Sequence, residues 1–381
     1  MIGVGDYPHA KPTKGQLKEL RDVTDLPSAA DSAKFVCEWL KLNTSRLAAP
    51  LASIEVLISD PTNLGAAGNR FQWSPGKPVA RASEANIIKA GGAWWNRLSV
   101  RPGDTALFYC CGHGAMYATQ PVLFLEDLNR SAANPWSHLG LGSLAQSLRR
   151  NPDIGSAFLF ADACGEFLSK FELGLALECR FFPPPLPFRA PRNNVALICA
   201  ASETSFAYDG ENLISADFGL AAGNEVRFGR FTQVLIKALG GASARRVENQ
   251  WTVDPTSLLV DLHKIRRIFF DRWVERSFEH TAYVMPNDVY PIATFNGNFE
   301  LPIVIITDPV ERMRDCDLYV SEQENLDLPW LRNRAAGDEG AWLVTVPATR
   351  RSLYAIAQRE GQKYSTVFTP EPLLKQLVGV Q

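Results

Sequence analysis

Two short apolar runs, each bounded by glycine, constrain the fold of this chain more than any other feature. They are Thr105-Ala-Leu-Phe-Tyr-Cys110 and Ser156-Ala-Phe-Leu-Phe160. Such runs are typical of strands that are buried on both faces of a sheet. Each is followed within a few residues by a reactive side chain, His113 or Cys164. Because ligands bind outside the carboxyl ends of the strands in an open parallel sheet, we expect the two side chains to meet there.

The first 300 residues alternate between strand and helix patterns, which predicts an α/β fold with a mainly parallel sheet. Ser28 and Asp31 have the spacing of a capping box, and Asp254-Pro255 predicts a helix start. The predicted helices lie within 22–43, from Ser83 to Trp94, over 141–148, over 230–239, and from 254 to about 273. Further strands are predicted at 1–5, 54–58, 122–125 and 195–200.

From about residue 300 the pattern changes to strands separated by turns. The predicted strands cover 301–306, 341–346, 352–356 and 363–368. We therefore expect two domains, an α/β domain over 1–300 and a small all-β, sandwich-like domain over 301–381.

Charge and composition exclude several function classes. The net charge of −2 and the isoelectric point near 6.3 give no general attraction to nucleic acid or anionic membrane. No apolar run approaches the ~18–20 residues of a membrane span, and no signal peptide is visible. Seven cysteines without paired spacing indicate reduced thiols. These observations predict a cytoplasmic protein that binds neither nucleic acid nor membrane.

Cys164 and His113 have the side chains of a nucleophile and its base. A thiol is a weak nucleophile near neutral pH because its pKa is ~8.5, and a neighbouring imidazole can take its proton. The same imidazole can then protonate a leaving amine. The two residues are 51 positions apart, which suits one crossover between neighbouring strands. The N–H groups of Gly114 and Cys164 are the candidate donors to the oxyanion of a tetrahedral intermediate.

Six blocks of the sequence, in this order, resemble those of caspase-like cysteine peptidases of clan CD, in their metacaspase-like prokaryotic branch. The blocks are Ile2-Gly-Val-Gly-Asp-Tyr-Pro8, Leu26-Pro-Ser-Ala-Ala-Asp-Ser-Ala33, Phe108-Tyr-Cys-Cys-Gly-His-Gly114, Phe160-Ala-Asp-Ala-Cys-Gly165, Ala200-Ala-Ser202 and Gly229-Arg-Phe-Thr-Gln-Val-Leu235. The resemblance covers about residues 1–300 and implies a caspase-like sheet with helices on both faces. It implies His113 as general acid and base, Cys164 as nucleophile and Gly114 as oxyanion donor. Cys111 stands where the metacaspase block usually has serine.

The resemblance also implies a substrate class. It assigns Asp162 and Asp31 to the pocket for the residue that precedes the cut bond, where a carboxylate favours arginine or lysine. We therefore expect cleavage of protein or peptide substrates after basic residues. Arg189 and Arg192, in the proline-rich stretch 181–194, become candidate self-cleavage sites. No organic cofactor is expected, whereas calcium activation, a regulatory protein partner and a role in prokaryotic defence or regulated cell death are implications of the resemblance.

Simpler interpretations stay open for each residue. Cys164 and His113 can be core side chains, as we expect for Cys110, Cys179 and Cys199. Cys110, Cys111 and His113 can be metal ligands, although no second cluster completes a site and we expect no metal. Asp31 can cap a helix, and Asp162 can order a loop. The protein as a whole can be a hydrolase of small amides, or a catalytically silent module that binds a partner through its C-terminal domain.

Overall fold

The structure is a computed structural model that describes residues 1–10, 23–61, 72–74, 77–98, 104–117, 120–131, 135–163, 194–201, 209–214, 225–269, 281–284, 290–296, 299–325, 329–337, 341–349, 351–373 and 375–380. The chain divides into two compact units. The first contains Met1–Ile236 and Glu275–Ile292, and the second contains Lys237–Val274 and Ala293–Gln381. None of the described helices is both long and apolar enough to cross a membrane.

Five α-helices and 23 strands lie in the described part of the chain. The helices are α1 (Pro27–Leu42), α2 (Glu84–Leu98), α3 (Leu141–Arg150), α4 (Arg230–Lys237) and α5 (Pro255–Phe269). The strands are β1 (Ile2–Val4), β2 (Leu57–Ser59), β3 (Gln72–Ser74), β4 (Lys77–Pro78), β5 (Asp104–Gly112), β6 (Gly114–Tyr117), β7 (Gln120–Phe124), β8 (His138–Gly140), β9 (Ile154–Ala163), β10 (Asn194–Cys199), β11 (Asp209–Ile214), β12 (Glu225–Gly229), β13 (Arg245–Val247), β14 (Gln250–Val253), β15 (Thr281–Val284), β16 (Ala293–Phe295), β17 (Glu300–Asp308), β18 (Asp317–Ser321), β19 (Arg332–Arg334), β20 (Trp342–Pro347), β21 (Leu353–Arg359), β22 (Gln362–Phe368) and β23 (Lys375–Gly379).

The first unit is built on a six-stranded sheet in the order β15-β10-β9-β5-β1-β2. Neighbouring strands from β10 to β2 are parallel, and β15 pairs antiparallel with β10 at one edge. The two apolar runs of the sequence are adjacent central strands, β5 and β9. The prediction of a mainly parallel α/β sheet is therefore confirmed.

Helices cover both faces of this sheet. Successive side chains of a strand point to opposite faces, so a central strand packs against helices on both sides. Phe108 and Cys110 of β5 pack in a core that includes Ile87 of α2 and Leu144 of α3. Tyr109 lies on the other face, where its hydroxyl is 2.5 Å from Thr232 Oγ1 of α4. Both faces of β5 are buried, which explains why its sequence is almost continuously apolar.

The helix starts agree with the sequence patterns in two cases and differ in one. Ser83 Oγ accepts the Asn86 N–H at 3.4 Å before α2, and Asp254 Oδ1 accepts the N–H groups of Thr256 and Ser257 before α5. The prediction that Ser28 caps α1 was wrong, because Leu26 is the N-cap and no side chain caps this helix. Pro27 takes the first helical position, since its fixed φ suits that position and its missing N–H costs nothing there.

Two of the sheets described in the second unit share one core. Strands β20-β17-β23 form the first of these sheets and β19-β18-β21-β22 form the second. Ile303 and Ile305 of the first sheet and Leu318 and Val320 of the second are fully buried together. The described residues from 301 onward thus form strands and a 3₁₀ turn at Val310–Asp315, while the sandwich-like arrangement stays a prediction.

The division between the two units does not fall at residue 300. Residues 237–274, with α5 and the β13-β14-β16 sheet, group with the C-terminal strands. An aromatic cluster explains this grouping, because Phe299 stacks on Phe295 at 4.5 Å and meets Trp251 edge-on at 5.8 Å. A Cβ at Gly241, which has φ +123°, would lie 2.9 Å from the Phe299 ring. The second unit therefore contains α5 and the β13-β14-β16 sheet as well as the C-terminal strands, and the all-β domain over 301–381 stays a prediction.

Candidate functional site

His113 directly follows β5, at the carboxyl edge of the main sheet. The residue before it, Gly112, has φ +157°, and a Cβ there would lie 2.9 Å from Tyr7 Oη and 3.1 Å from Val4 Cβ. Both the backbone conformation and the close approach of Tyr7 thus require glycine at this position. Gly112 is the last residue of β5, the strand that lies between β1 and β9 in the sheet, and His113 is the first residue beyond it.

Tyr7 and Thr24 hold His113 in place. The backbone N–H of His113 donates to Tyr7 Oη at 2.8 Å, and the two rings lie 5.0 Å apart at 53°. His113 Nε2 is 2.8 Å from the carbonyl oxygen of Thr24. A carbonyl oxygen only accepts, so Nε2 carries a proton in this contact, and in the neutral form of the ring the lone pair is then on Nδ1. Nδ1 is then the nitrogen that can act as a base.

A short loop after β1 positions these two partners. The Tyr7 N–H donates to Asp25 Oδ1 at 3.0 Å, and the Leu26 N–H donates to the Gly5 carbonyl at 2.7 Å. These bonds tie the loop to the segment that precedes α1. Our sequence reasoning did not assign roles to Tyr7, Thr24 or Asp25, although the Gly5-Asp-Tyr-Pro8 turn marked the end of the strand next to β5.

Cys164, the candidate nucleophile, directly follows Ala163, the last described residue of β9. Gly112 and Ala163 are register partners in the parallel β5–β9 pair, and the next residues in sequence are His113 and Cys164. Cys164 itself lies outside the described residues, as do Cys179 and the predicted self-cleavage sites Arg189 and Arg192 in 181–194. Gly114 begins β6 and is the register partner of Leu123, and the use of its N–H as an oxyanion donor stays a prediction.

Asp162 is buried under the carboxyl edge of the sheet and bonds to the start of α4. Its Oδ2 accepts the Thr232 hydroxyl at 2.6 Å and the Thr232 N–H at 3.2 Å. Thr232 is the third residue of α4, where backbone N–H groups lack helical partners and a negative charge is favourable. The structure thus shows Asp162 bonded to the start of a helix, while its place in a substrate pocket and the alternative that it orders a loop stay predictions.

The approach of α4 to the sheet is unusually close at Gly229. A Cβ at this position would overlap Asp162 Oδ2. The Gly229 N–H donates to Ser32 Oγ of α1 at 2.9 Å. Asp31, the other predicted pocket residue, precedes Ser32 on α1 and is half-buried. Strand β12 therefore connects the helix that carries Asp31 to the carboxylate of Asp162.

The thiols near this edge are not poised to react. Cys110, Cys111 and Cys199 are buried, and burial raises the pKa of each thiol above its ordinary value. The charge of Asp162, the register partner of Cys111, raises the pKa of Cys111 further. The prediction that Cys110 and Cys199 belong to the core is confirmed. Across the described ranges, no three His, Cys, Asp or Glu side chains are grouped so that they could bind a metal ion.

An ion-pair network that the sequence did not reveal lies at the ends of β1 and β2. Arg81 forms ion pairs with Asp6 and, at 2.7 Å, with Glu126. Glu126 Oε2 also accepts the Ser59 hydroxyl at 2.5 Å. Two carboxylates therefore balance Arg81, so it does not turn this edge into a site for acidic side chains.

Comparison with known proteins gives little guidance. No protein-family profile matches the chain. A stretch of 88 residues is 31% identical to an uncharacterized protein, y4kE, of Sinorhizobium fredii (strain NBRC 101917 / NGR234). The match covers 23% of this chain and 25% of that protein, so the chain spans only about a quarter of the length of this relative.

Proposed function

We propose that this protein is a cysteine endopeptidase in which Cys164 is the nucleophile and His113 the general acid and base. The observation that carries the proposal is the register of Gly112 and Ala163 in adjacent parallel strands. Neighbouring strands are ~4.8 Å apart. His113 and Cys164 are the next residues in sequence after this pair, which supports a proton transfer between them.

The hydrogen bonds of His113 suit this chemistry. In this proposal Nε2 donates to the Thr24 carbonyl and Nδ1 takes the thiol proton. The thiolate then attacks the substrate carbonyl, and backbone N–H groups, of which Gly114 is the leading candidate, stabilise the oxyanion. The protonated imidazole passes its proton to the leaving amine, and water releases the acyl group in a second cycle. The Thr24 carbonyl stabilises the imidazolium that forms between these steps.

The resemblance to caspase-like peptidases supports a preference for arginine or lysine before the cut bond. In this proposal Asp162, oriented by Thr232, supplies the carboxylate that attracts a basic side chain, and Asp31 on α1 is its partner. The positive end of a helix dipole favours a negative charge at this position, so a bond to the start of α4 is compatible with a pocket role for Asp162. We place the enzyme in the cytoplasm, with protein substrates and a regulatory protein partner.

Hydrolysis of two fluorogenic peptides tests the proposal. One peptide has arginine and the other aspartate before the reporter, and each is assayed with and without calcium. We expect cleavage after arginine that Cys164→Ala abolishes and Cys316→Ala, at a buried thiol of the second unit, leaves unchanged. Cleavage after aspartate would retain the dyad and reject the acidic pocket. Cleavage that survives Cys164→Ala would contradict the proposal.

Self-processing has its own test. Intact-mass analysis after long incubation should show cuts after Arg189 or Arg192, and these cuts should be lost in Cys164→Ala. An intact chain in a preparation that cleaves the arginine peptide would contradict self-processing and leave the peptidase in place.

A silent module that binds a partner is the second candidate. Several large apolar side chains are exposed among the described residues of the second unit, including Trp330 at 47%, Val367 at 57% and Leu377 at 48%. A contiguous patch of such side chains would be typical of an interaction surface. Under this alternative neither peptide is cleaved and Cys164 does not react faster than an ordinary thiol.

A further inference from the structure

We propose that the first unit has a second binding site, distinct from the dyad, for a neutral and mainly apolar small molecule. A cavity of about 570 Å³ lies beside α2 and the amino ends of the sheet strands. Its walls include Ile2 at the start of β1, Leu57 at the start of β2 and Thr105 in β5. His113 follows the opposite end of β5, so the cavity and the dyad are at opposite edges of the sheet.

The size and the lining of the cavity suit a ligand. Pockets for small molecules usually measure ~300–1,000 Å³ and are lined mainly by apolar side chains. Here Ile87, Trp94 and Leu98 of α2 face Phe108 of β5, and the Trp94 and Phe108 rings lie 6.2 Å apart at 51°. A partly open, mainly apolar pocket of this volume has the usual features of a small-molecule site.

The sequence of α2 maintains the space. Gly91 and Gly92 lie in the interior of the helix, where each glycine costs ~0.5–1 kcal/mol relative to alanine. Gly91 lines the cavity, and Ala90 beside it is another small wall residue. Trp94 and Ala90 pack against the core but remain partly exposed. Small residues at this wall leave a gap that larger helix formers would fill.

The opposite wall offers a route of entry. Residues 48–56 form neither helix nor strand, and Leu51 and Ile54 of this segment line the cavity. The Ala48 N–H donates to the Ile292 carbonyl at 3.0 Å, which fixes one end of the segment. A wall without regular secondary structure can move more readily than a helix or a sheet strand.

The charges at the rim favour a neutral ligand. Arg97 pairs with Glu55 at 2.8 Å and donates to Ser53 Oγ at 3.0 Å. Asp104 is the other charged residue of the lining. Because Glu55 already balances Arg97, the rim has no surplus positive charge for an anion, and Asp104 would repel one.

Two fluorescent ligands with the same ring system test the site on the full chain. N-phenyl-1-naphthylamine is neutral, and 1-anilinonaphthalene-8-sulfonate is its anionic counterpart. We expect the neutral compound to bind with a blue-shifted, enhanced emission and with higher affinity than the anion. Ala90→Phe should fill the cavity and weaken binding at least ~10-fold. Ala93→Phe, the same substitution at an exposed position of α2, should leave binding unchanged.

Three results would overturn the proposal. They are the absence of neutral-ligand binding to the folded protein, an Ala90→Phe variant that binds as well as wild type, and equal losses in the two variants. Thermal unfolding establishes whether Ala90→Phe folds. If it does not, Leu51→Asp places a carboxylate against the ligand from a segment outside the helices and strands, and it should weaken binding of the neutral compound by a similar factor. These readouts do not depend on peptidase activity, so the two proposals can fail separately.

Discussion

Tyr7 Oη accepts the backbone N–H of His113 at 2.8 Å, and the Tyr7 ring packs against the imidazole with centroids 5.0 Å apart. Tyr7 is 3% exposed, so this hydrogen bond is shielded from water. A residue of the loop after β1 therefore sets the position of the candidate general base after β5. The distance between these two strands is fixed by their pairing, in which Ile2 and Cys110 are register partners.

Tyr7→Phe should reduce catalysis without unfolding the protein. The ring and its packing remain, but the bond to His113 is lost, which costs ~1 kcal/mol. If that bond helps to hold the imidazole in its reactive position, kcat/KM for the arginine peptide should fall ~5–10-fold, mostly through kcat. Tyr364→Phe, which removes an exposed hydrogen bond to Gln362 in the second unit, is the matched control. Unchanged kinetics in Tyr7→Phe would show that this contact does not position the base.

Thr232→Val should destabilise the first unit strongly. Valine keeps the shape of the side chain but leaves Asp162 Oδ2 and the Tyr109 hydroxyl without the threonine hydroxyl, and all three groups are buried. A hydrogen bond that a buried group loses costs ~1–3 kcal/mol, and more where the group is charged. Thr232→Ser, which keeps the hydroxyl, should lose ~1 kcal/mol or less. Urea unfolding measures both, and equal losses would contradict the importance of this hydroxyl.

Two glycine-to-alanine substitutions should have opposite effects. A Cβ at Gly229 overlaps Asp162 Oδ2, so Gly229→Ala should lower the free energy of unfolding by more than ~2 kcal/mol. A Cβ at Gly92 meets nothing within 4 Å, and in a helix interior alanine should raise the free energy of unfolding by ~0.5–1 kcal/mol. Thermal unfolding of the two variants compares them directly. A Gly229→Ala variant as stable as wild type would contradict the close packing of α4 on Asp162.

His138 should make the protein less stable in mild acid. Burial lowers the pKa of this histidine below its ordinary 6.5, and its Nδ1–H donates to the Trp136 carbonyl at 2.6 Å. The side chain is therefore neutral in the folded protein, whereas the unfolded chain gains a proton as the pH falls below 6.5. Stability is lost over that range and is unaffected by this group at higher pH. His138→Asn keeps a donor for Trp136 and removes the titration.

Unfolding in urea at pH 7.5 and at pH 5.0 tests this prediction. The loss of stability between the two pH values should be smaller in His138→Asn than in wild type. Other groups titrate in both proteins, so the difference between the two losses isolates His138. Equal losses would contradict the neutral, buried state of this histidine.

The elements that could be predicted from sequence are those with a local pattern. The runs that became β5 and β9 are buried on both faces, so their composition alone identified them. The same kind of local pattern assigned the cap of α1 to Ser28. The spacing of Ser28 and Asp31 matches a capping box, but Pro27 already occupies the first helical position. Local patterns thus identified elements well and their first residues less well.

The contacts that build the candidate site have no local signature. Thr232 and Asp162 are 70 positions apart, Tyr7 and His113 are 106 apart, and Gly229 and Ser32 are 197 apart. Each contact depends on which strands and helices become neighbours, and that is a property of the fold. For the same reason no local pattern indicated that residues 237–274 group with the C-terminal strands, where the aromatic cluster around Phe299 packs.

The most direct test of the central claim is to map where a thiol-reactive arginine peptide attaches. Incubation of the full chain followed by peptide mass mapping should place the adduct on Cys164. Cys110, Cys111 and Cys199 should stay unmodified, because burial raises their pKa values and keeps them protonated. His113→Gln should slow the labelling by at least ~10-fold, since the thiol loses its base. A Cys164 that reacts no faster than a free thiol, or at the same rate in His113→Gln, would contradict a Cys164–His113 dyad.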